Sequence, residues 1–127
     1  MKKILLIALV ITANIISISC SNNNNEPNPY QGNWSGNING DIAGTWSGNV
    51  SSSGNFSGTV IPYSTTPDHN FVLSGHVNGN GSLVATMKNT TYNITIDFVG
   101  TFQNNQSNGT WIFNGAGMQG TWNGTKE

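Results

Sequence analysis

Charge is scarce in this chain. Only 7% of its 127 residues are Asp, Glu, Lys or Arg, and arginine is absent. Lys2 and Lys3 sit at the very start, which leaves Lys88 and Lys126 against Glu26, Asp41, Asp68, Asp97 and Glu127. Nucleic-acid binding needs several cations to displace counterions from phosphate, and two scattered lysines form no such patch. The same shortage excludes a polybasic contact with an anionic lipid surface. Cysteine is limited to Cys20, so no intramolecular disulfide is possible. A small domain without staples must rely on strand pairing and aromatic burial. No apolar run reaches the ~20 residues that a spanning helix needs, and from Tyr30 onward no segment carries a helical period.

Convergent chemistry is equally sparse. Asp68-His69 and His76 are the only histidine features. A metal site needs three or four converging ligands, and His76 falls in the outward phase of its segment. Serine is abundant, but no G-x-S-x-G elbow holds a nucleophile, and a carboxylate pair for glycoside cleavage would have to come from Asp41, Asp68 and Asp97. The expectation is no enzyme, no metal and no cofactor. The Asn-x-Ser/Thr triplets, such as Asn33-Trp34-Ser35 and Asn93-Ile94-Thr95, follow from a composition dominated by Asn, Gly, Ser and Thr.

What is present begins with Met1-Lys2-Lys3, an apolar run from Ile4 to Ile11, a less apolar extension, and Ser17-Ile18-Ser19-Cys20. A charged start, a short apolar stretch and a small residue before a cut are the layout of an export signal. Ser17-Ile18-Ser19-Cys20 resembles the lipobox of bacterial lipoproteins, with Ser17 where that family usually has Leu. The resemblance implies removal of residues 1–19 and a diacylglycerol thioether on Cys20. Ser21 in place of Asp after the cysteine implies, by the family's sorting rule, the outer membrane, facing the periplasm or the surface. Residues 20–30, rich in Asn and Pro, then read as the lipidated cysteine and a flexible tether, and residues 31–127 as the folded domain. Multiple acyl chains give such an anchor its hold.

In that domain apolar residues alternate with polar ones between Gly- and Asn-rich turns. The segment Tyr92-Asn93-Ile94-Thr95-Ile96-Asp97-Phe98 puts Tyr92, Ile94, Ile96 and Phe98 on one face and polar side chains on the other, as a half-buried strand requires. The same reading gives strands near 33–39, 43–50, 55–61, 70–77, 82–88, 91–102, 109–113 and 117–123. The inward set includes Trp34, Trp46, Phe56, Phe71, Phe98, Trp111 and Trp122. One sheet with one apolar face covers that face by closing on itself. The expected fold is all-β, a small antiparallel up-and-down barrel of about eight short strands, with a two-sheet sandwich as the alternative.

Gly32-Asn33-Trp34-Ser35-Gly36, Gly44-Thr45-Trp46-Ser47-Gly48 and Gly120-Thr121-Trp122-Asn123-Gly124 share a form, and Gly109-Thr110-Trp111 shares its start. Each sets a Trp and a Gly two residues apart on one face, which reads as a ring lying over the space left by a neighbouring glycine. Gly44-Thr45-Trp46 followed by Gly54-Asn55-Phe56-Ser57-Gly58-Thr59-Val60 resembles the opening hairpin of avidin-type and lipocalin-type barrels. Val60 stands where avidins carry a biotin-binding Tyr, so no biotin site is carried over.

Two functions fit. One is an interaction module at the membrane or in the periplasm, with a filled core and a protein or glycan partner on its loops and uncharged outer face. The other is a binding barrel whose interior, lined by Trp46, Phe56, Phe71, Tyr92, Phe98 and Trp111, holds a small apolar ligand. Four Trp should largely fill so small a barrel, which makes the interaction module the expected function and the binding barrel the alternative. The connection from Pro62 to Pro67 is the longest and the candidate functional loop.

Overall fold

The computed structural model describes residues 26–63 and 67–127. The export signal 1–19, Cys20 and the centre of the Pro62 to Pro67 connection lie outside the described residues. Eight strands follow one another: β1 (Gly32–Gly40), β2 (Gly44–Val50), β3 (Asn55–Pro62), β4 (Phe71–Val77), β5 (Ser82–Asn89), β6 (Ile94–Gln103), β7 (Gln106–Phe113) and β8 (Met118–Lys126). Each pairs antiparallel with the next, and β8 pairs with β1, so the sheet closes into a barrel. The up-and-down barrel is therefore the fold, and the sandwich is not. Alternation of apolar and polar residues produced this outcome, because every strand puts one face inside.

The register sets the width of the barrel. One ladder runs Gly32, Val50, Phe56, Gly75, Ala85, Phe98, Trp111, Gly120 and back to β1 at Gly40. The circuit thus returns to the first strand eight residues further along. Eight strands with a stagger of eight lean at about 36° to the axis and enclose an interior that side chains can fill. The wall is apolar inside and mostly Asn, Thr and Ser outside, the reverse of what a barrel needs to span lipid. Ile61, Val72, Val84, Val99 and Ile112 interrupt the polar exterior.

Indoles fill the middle. Trp34, Trp46, Trp111 and Trp122 are at most 2% exposed, so they pack the core and offer no ring to an external sugar. Three of them obey one rule. Trp46 lies over Gly124, which pairs with Gly36; Trp122 lies over the paired Gly100 and Gly109; and Trp111 lies over Gly120, which pairs with Gly40. In each case the indole N–H donates to the carbonyl just before one glycine of the pair: Asn123 at 2.9 Å, Val99 at 2.9 Å and Asn39 at 3.0 Å. A Cβ at Gly109, Gly120 or Gly124 would run into the indole. The repeated Gly-Thr-Trp form is the sequence trace of this packing. Phe98 stacks on Trp122 at 4.5 Å, and Trp46 meets Trp122 edge-on at 5.6 Å.

The two ends differ. At one end, formed by the β2–β3, β4–β5 and β6–β7 turns, the incoming chain closes the barrel. The Asn28 backbone N–H donates to the Ser52 carbonyl at 2.8 Å, and its Nδ2 donates to the Val77 carbonyl, also at 2.8 Å. Tyr30 packs edge-on against Phe102 at 5.8 Å, and its carbonyl accepts the Trp34 indole N–H at 2.9 Å. The stretch read as tether therefore meets the barrel by Asn28. At the other end lie the β1–β2, β3–β4, β5–β6 and β7–β8 connections, and no segment crosses the opening among the described residues.

Candidate functional site

The opening holds an apolar hollow inside the wall. Inward positions at this end carry Pro62, Phe71, Ile94, Ile96, Phe113 and Met118, with Ile42 from the β1–β2 turn. None is an indole. Side chains of this size stop short of meeting across the axis and leave a cavity of about 220 Å³ at the mouth. His69, Asn89 and Tyr92 complete its rim, and no Asp, Glu, Lys or Arg lines it. The floor is the top of the packed core, where Ile96 and Phe71 are buried while Phe113, Ile94 and Met118 are only half-buried.

Asn89, the last residue of β5, holds the rim in place. It is 3% exposed, and every polar atom of its amide that the wall leaves dry is engaged. Its Nδ2 donates to the carbonyls of Asp68 at 2.7 Å and Asn70 at 2.9 Å, which ties down the β3–β4 connection. Its Oδ1 accepts the backbone N–H of Tyr92 at 2.8 Å, which ties down the β5–β6 turn. A buried amide with both ends bonded fixes two loops at once, and losing it would strand two inward carbonyls. The clamp brings His69 and Tyr92 face to face, with ring centroids 5.1 Å apart and planes 8° from parallel.

This geometry changes the position of Tyr92. The alternation placed it on the strand, facing the interior. In the structure β6 begins at Ile94, Tyr92 sits in the preceding turn, and half of its surface is exposed. Asn93 adopts φ 55°, a left-handed conformation that Asn tolerates, so the alternation breaks there. Of the other expected lining residues, Phe71 faces the cavity, whereas Trp46, Phe56, Phe98 and Trp111 belong to the packed core below it. The interior is filled for most of its length and open only at one end.

Asn89, Ile42, Phe113 and Met118 were absent from the expected lining. Phe113 and Met118 were legible as inward residues, but only closure of the barrel shows that they meet Phe71 and Ile94 at the same end. Asn89 reads in the sequence as a turn former, and its clamp depends on a partner loop about twenty positions away. His76 is exposed on the outer wall of β4. Among the described residues no three His, Cys, Asp or Glu side chains converge. An open polar hollow of about 510 Å³ lies outside the wall at the β6–β7 turn, lined by Gln103, Asn104, Asn105 and Gln106 among others.

Searches for kinship add nothing to this picture: no family model, no curated protein and no solved structure matches the chain.

Proposed function

We propose that this chain is a bacterial envelope lipoprotein, anchored through Cys20 after loss of residues 1–19, whose barrel is a non-enzymatic binding module. Its mouth takes a small apolar group. The observation that supports this reading is the cavity of about 220 Å³ at the mouth, apolar throughout and rimmed by a clamped aromatic pair. Apolar pockets with a few placed polar groups are the usual form of a ligand site. An apolar cavity of about 150 Å³ already binds benzene, so the occupant is about one ring or one branched alkyl group in size. The anchor reading draws on the positive start, the short apolar run and Ser19-Cys20. The target membrane is the outer one, by the identity of Ser21.

Native mass spectrometry of the full chain, purified in mild detergent from a bacterial host, tests both parts. The expected mass lacks residues 1–19, carries acyl-glycerol on Cys20 and includes a further labile mass that the cavity-filling variant Ile94→Trp has lost. An unmodified cysteine sinks the anchor. Wild type and Ile94→Trp that each show only their own chain and lipid mass sink the pocket.

A further inference from the structure

The described chain meets the barrel by Asn28 at the end opposite the mouth, eight positions after Cys20. Resting on the proposal above, we infer that the barrel stands on the membrane with its closed end down. Its mouth faces away from the lipid and receives an aromatic ring carried by a water-soluble molecule.

The argument starts at Asn28. Its two hydrogen bonds, to Ser52 and Val77, pin the incoming chain to the closed end. Tyr30 against Phe102 and the Trp34 indole on the Tyr30 carbonyl extend the hold to the first strand. Between Cys20 and Asn28 the chain advances by only eight positions. Fully stretched, that span reaches about 26–29 Å. As a flexible coil it covers about 15 Å. The nine residues of β1, leaning at about 36°, carry the wall about 24 Å along the axis. Turning the mouth to the bilayer would need the tether drawn nearly straight along the whole wall. The alternative is to strip Asn28 and Tyr30 from the core. A tether of this length keeps the closed end beside the lipid with neither cost.

The occupant then comes from the aqueous side, and the rim favours a ring. His69 and Tyr92 already stack at 5.1 Å, and Phe71 and Phe113 face the same space. Aromatic rings gain from offset and edge contacts beyond the area they bury, and a thioether such as that of Met118 adds a favourable ring contact. With no Asp, Glu, Lys or Arg in the lining, the group that enters is neutral.

Two readouts on the full chain test this. With Cys20 blocked by lipid, Ser53→Cys in the β2–β3 turn or Ala116→Cys in the β7–β8 turn becomes the only free thiol, and both positions are exposed. Each is labelled with a fluorophore and the protein placed in phosphatidylcholine vesicles carrying headgroup nitroxide. Quenching is expected to be several-fold stronger at Ser53 than at Ala116. Equal or reversed quenching overturns the orientation, and a chain that does not attach overturns it together with its anchor. Separately, the methyl resonance of Met118 in the detergent-solubilised chain is followed during titration with benzyl alcohol and with 1-hexanol. A saturable shift is expected with benzyl alcohol, absent in Ile94→Trp, and about tenfold weaker binding with hexanol. Hexanol binding as tightly overturns the ring preference alone. No saturable shift with either probe overturns the pocket reading itself, whatever the vesicles show.

Discussion

The closed end and the mouth are built from the same eight strands and differ in what their inward positions carry. Toward the closed end and through the middle, bulky rings alternate with glycine pairs, and each of three indoles finds both a space and a carbonyl. At the mouth the inward positions carry Pro62, Ile94, Phe113 and Met118, and about 220 Å³ is left unfilled by side chains. One end uses its aromatics to fill space; the other uses His69 and Tyr92 to border it. Packing therefore concentrates in the middle and the closed end, and the unfilled space lies at the end that is packed least.

The strongest way to break that contrast is to cut the packed part. Trp122→Ala removes a fully buried indole, its bond to Val99 and its stack on Phe98. The expected loss is about 3–5 kcal/mol, measured by urea unfolding, whereas Tyr92→Ala at the mouth should cost under about 1 kcal/mol while weakening benzyl alcohol binding. Equal losses would dissolve the division of labour.

Overfilling tests the same idea from the other side. Gly109→Ala pushes a methyl toward the Val99 carbonyl and the Trp122 indole. It should destabilise by about 1–3 kcal/mol, although alanine is ordinarily the better strand residue. An unchanged unfolding midpoint would mean that the Trp-over-glycine packing has slack.

The mouth has one residue whose loss should be felt in both ways. Asn89→Leu keeps the bulk but leaves the carbonyls of Asp68 and Asn70 without their buried donor. A loss of about 1–3 kcal/mol is expected, with faster amide hydrogen exchange confined to the β3–β4 and β5–β6 connections. Uniform acceleration around the barrel would place Asn89 in the global core instead.

The smallest effect sharpens the picture of the closed end. Ser107 is buried beside Gly124 and the Trp46 ring, and its hydroxyl finds no hydrogen-bond partner among the described residues. Removing an unsatisfied buried hydroxyl lifts its desolvation penalty. Ser107→Ala should leave thermal stability unchanged or raise it by up to about 1 kcal/mol, and a clear fall would reveal a bond or a water that the hydroxyl needs.

Much of the fold was written in local order. Strict alternation fixed which residues face inward, and Gly- and Asn-rich breaks fixed where strands end, because side chains on a strand have a period of two and turns need permissive backbones. That was enough to place Leu73, Val77, Ile96 and Phe102 inside, and it anticipated that the Trp residues pack over glycines. It failed at Tyr92, where a left-handed Asn93 and the Asn89 bond end the alternation early. It also treated the apolar lining as one set, from Trp46 to Trp111, when the set is divided between a packed middle and an open end.

The amino-acid order alone determined the all-β class, the inward face of each strand and the Gly-Thr-Trp recurrence, since each is a property of neighbours along the chain. Only the tertiary structure decided the closed circuit with its stagger of eight, the glycines that the indoles cover and the unfilled space at one end. Those depend on the register between strands far apart in the chain. A register is set by the combined fit of all eight ladders and by no single one of them.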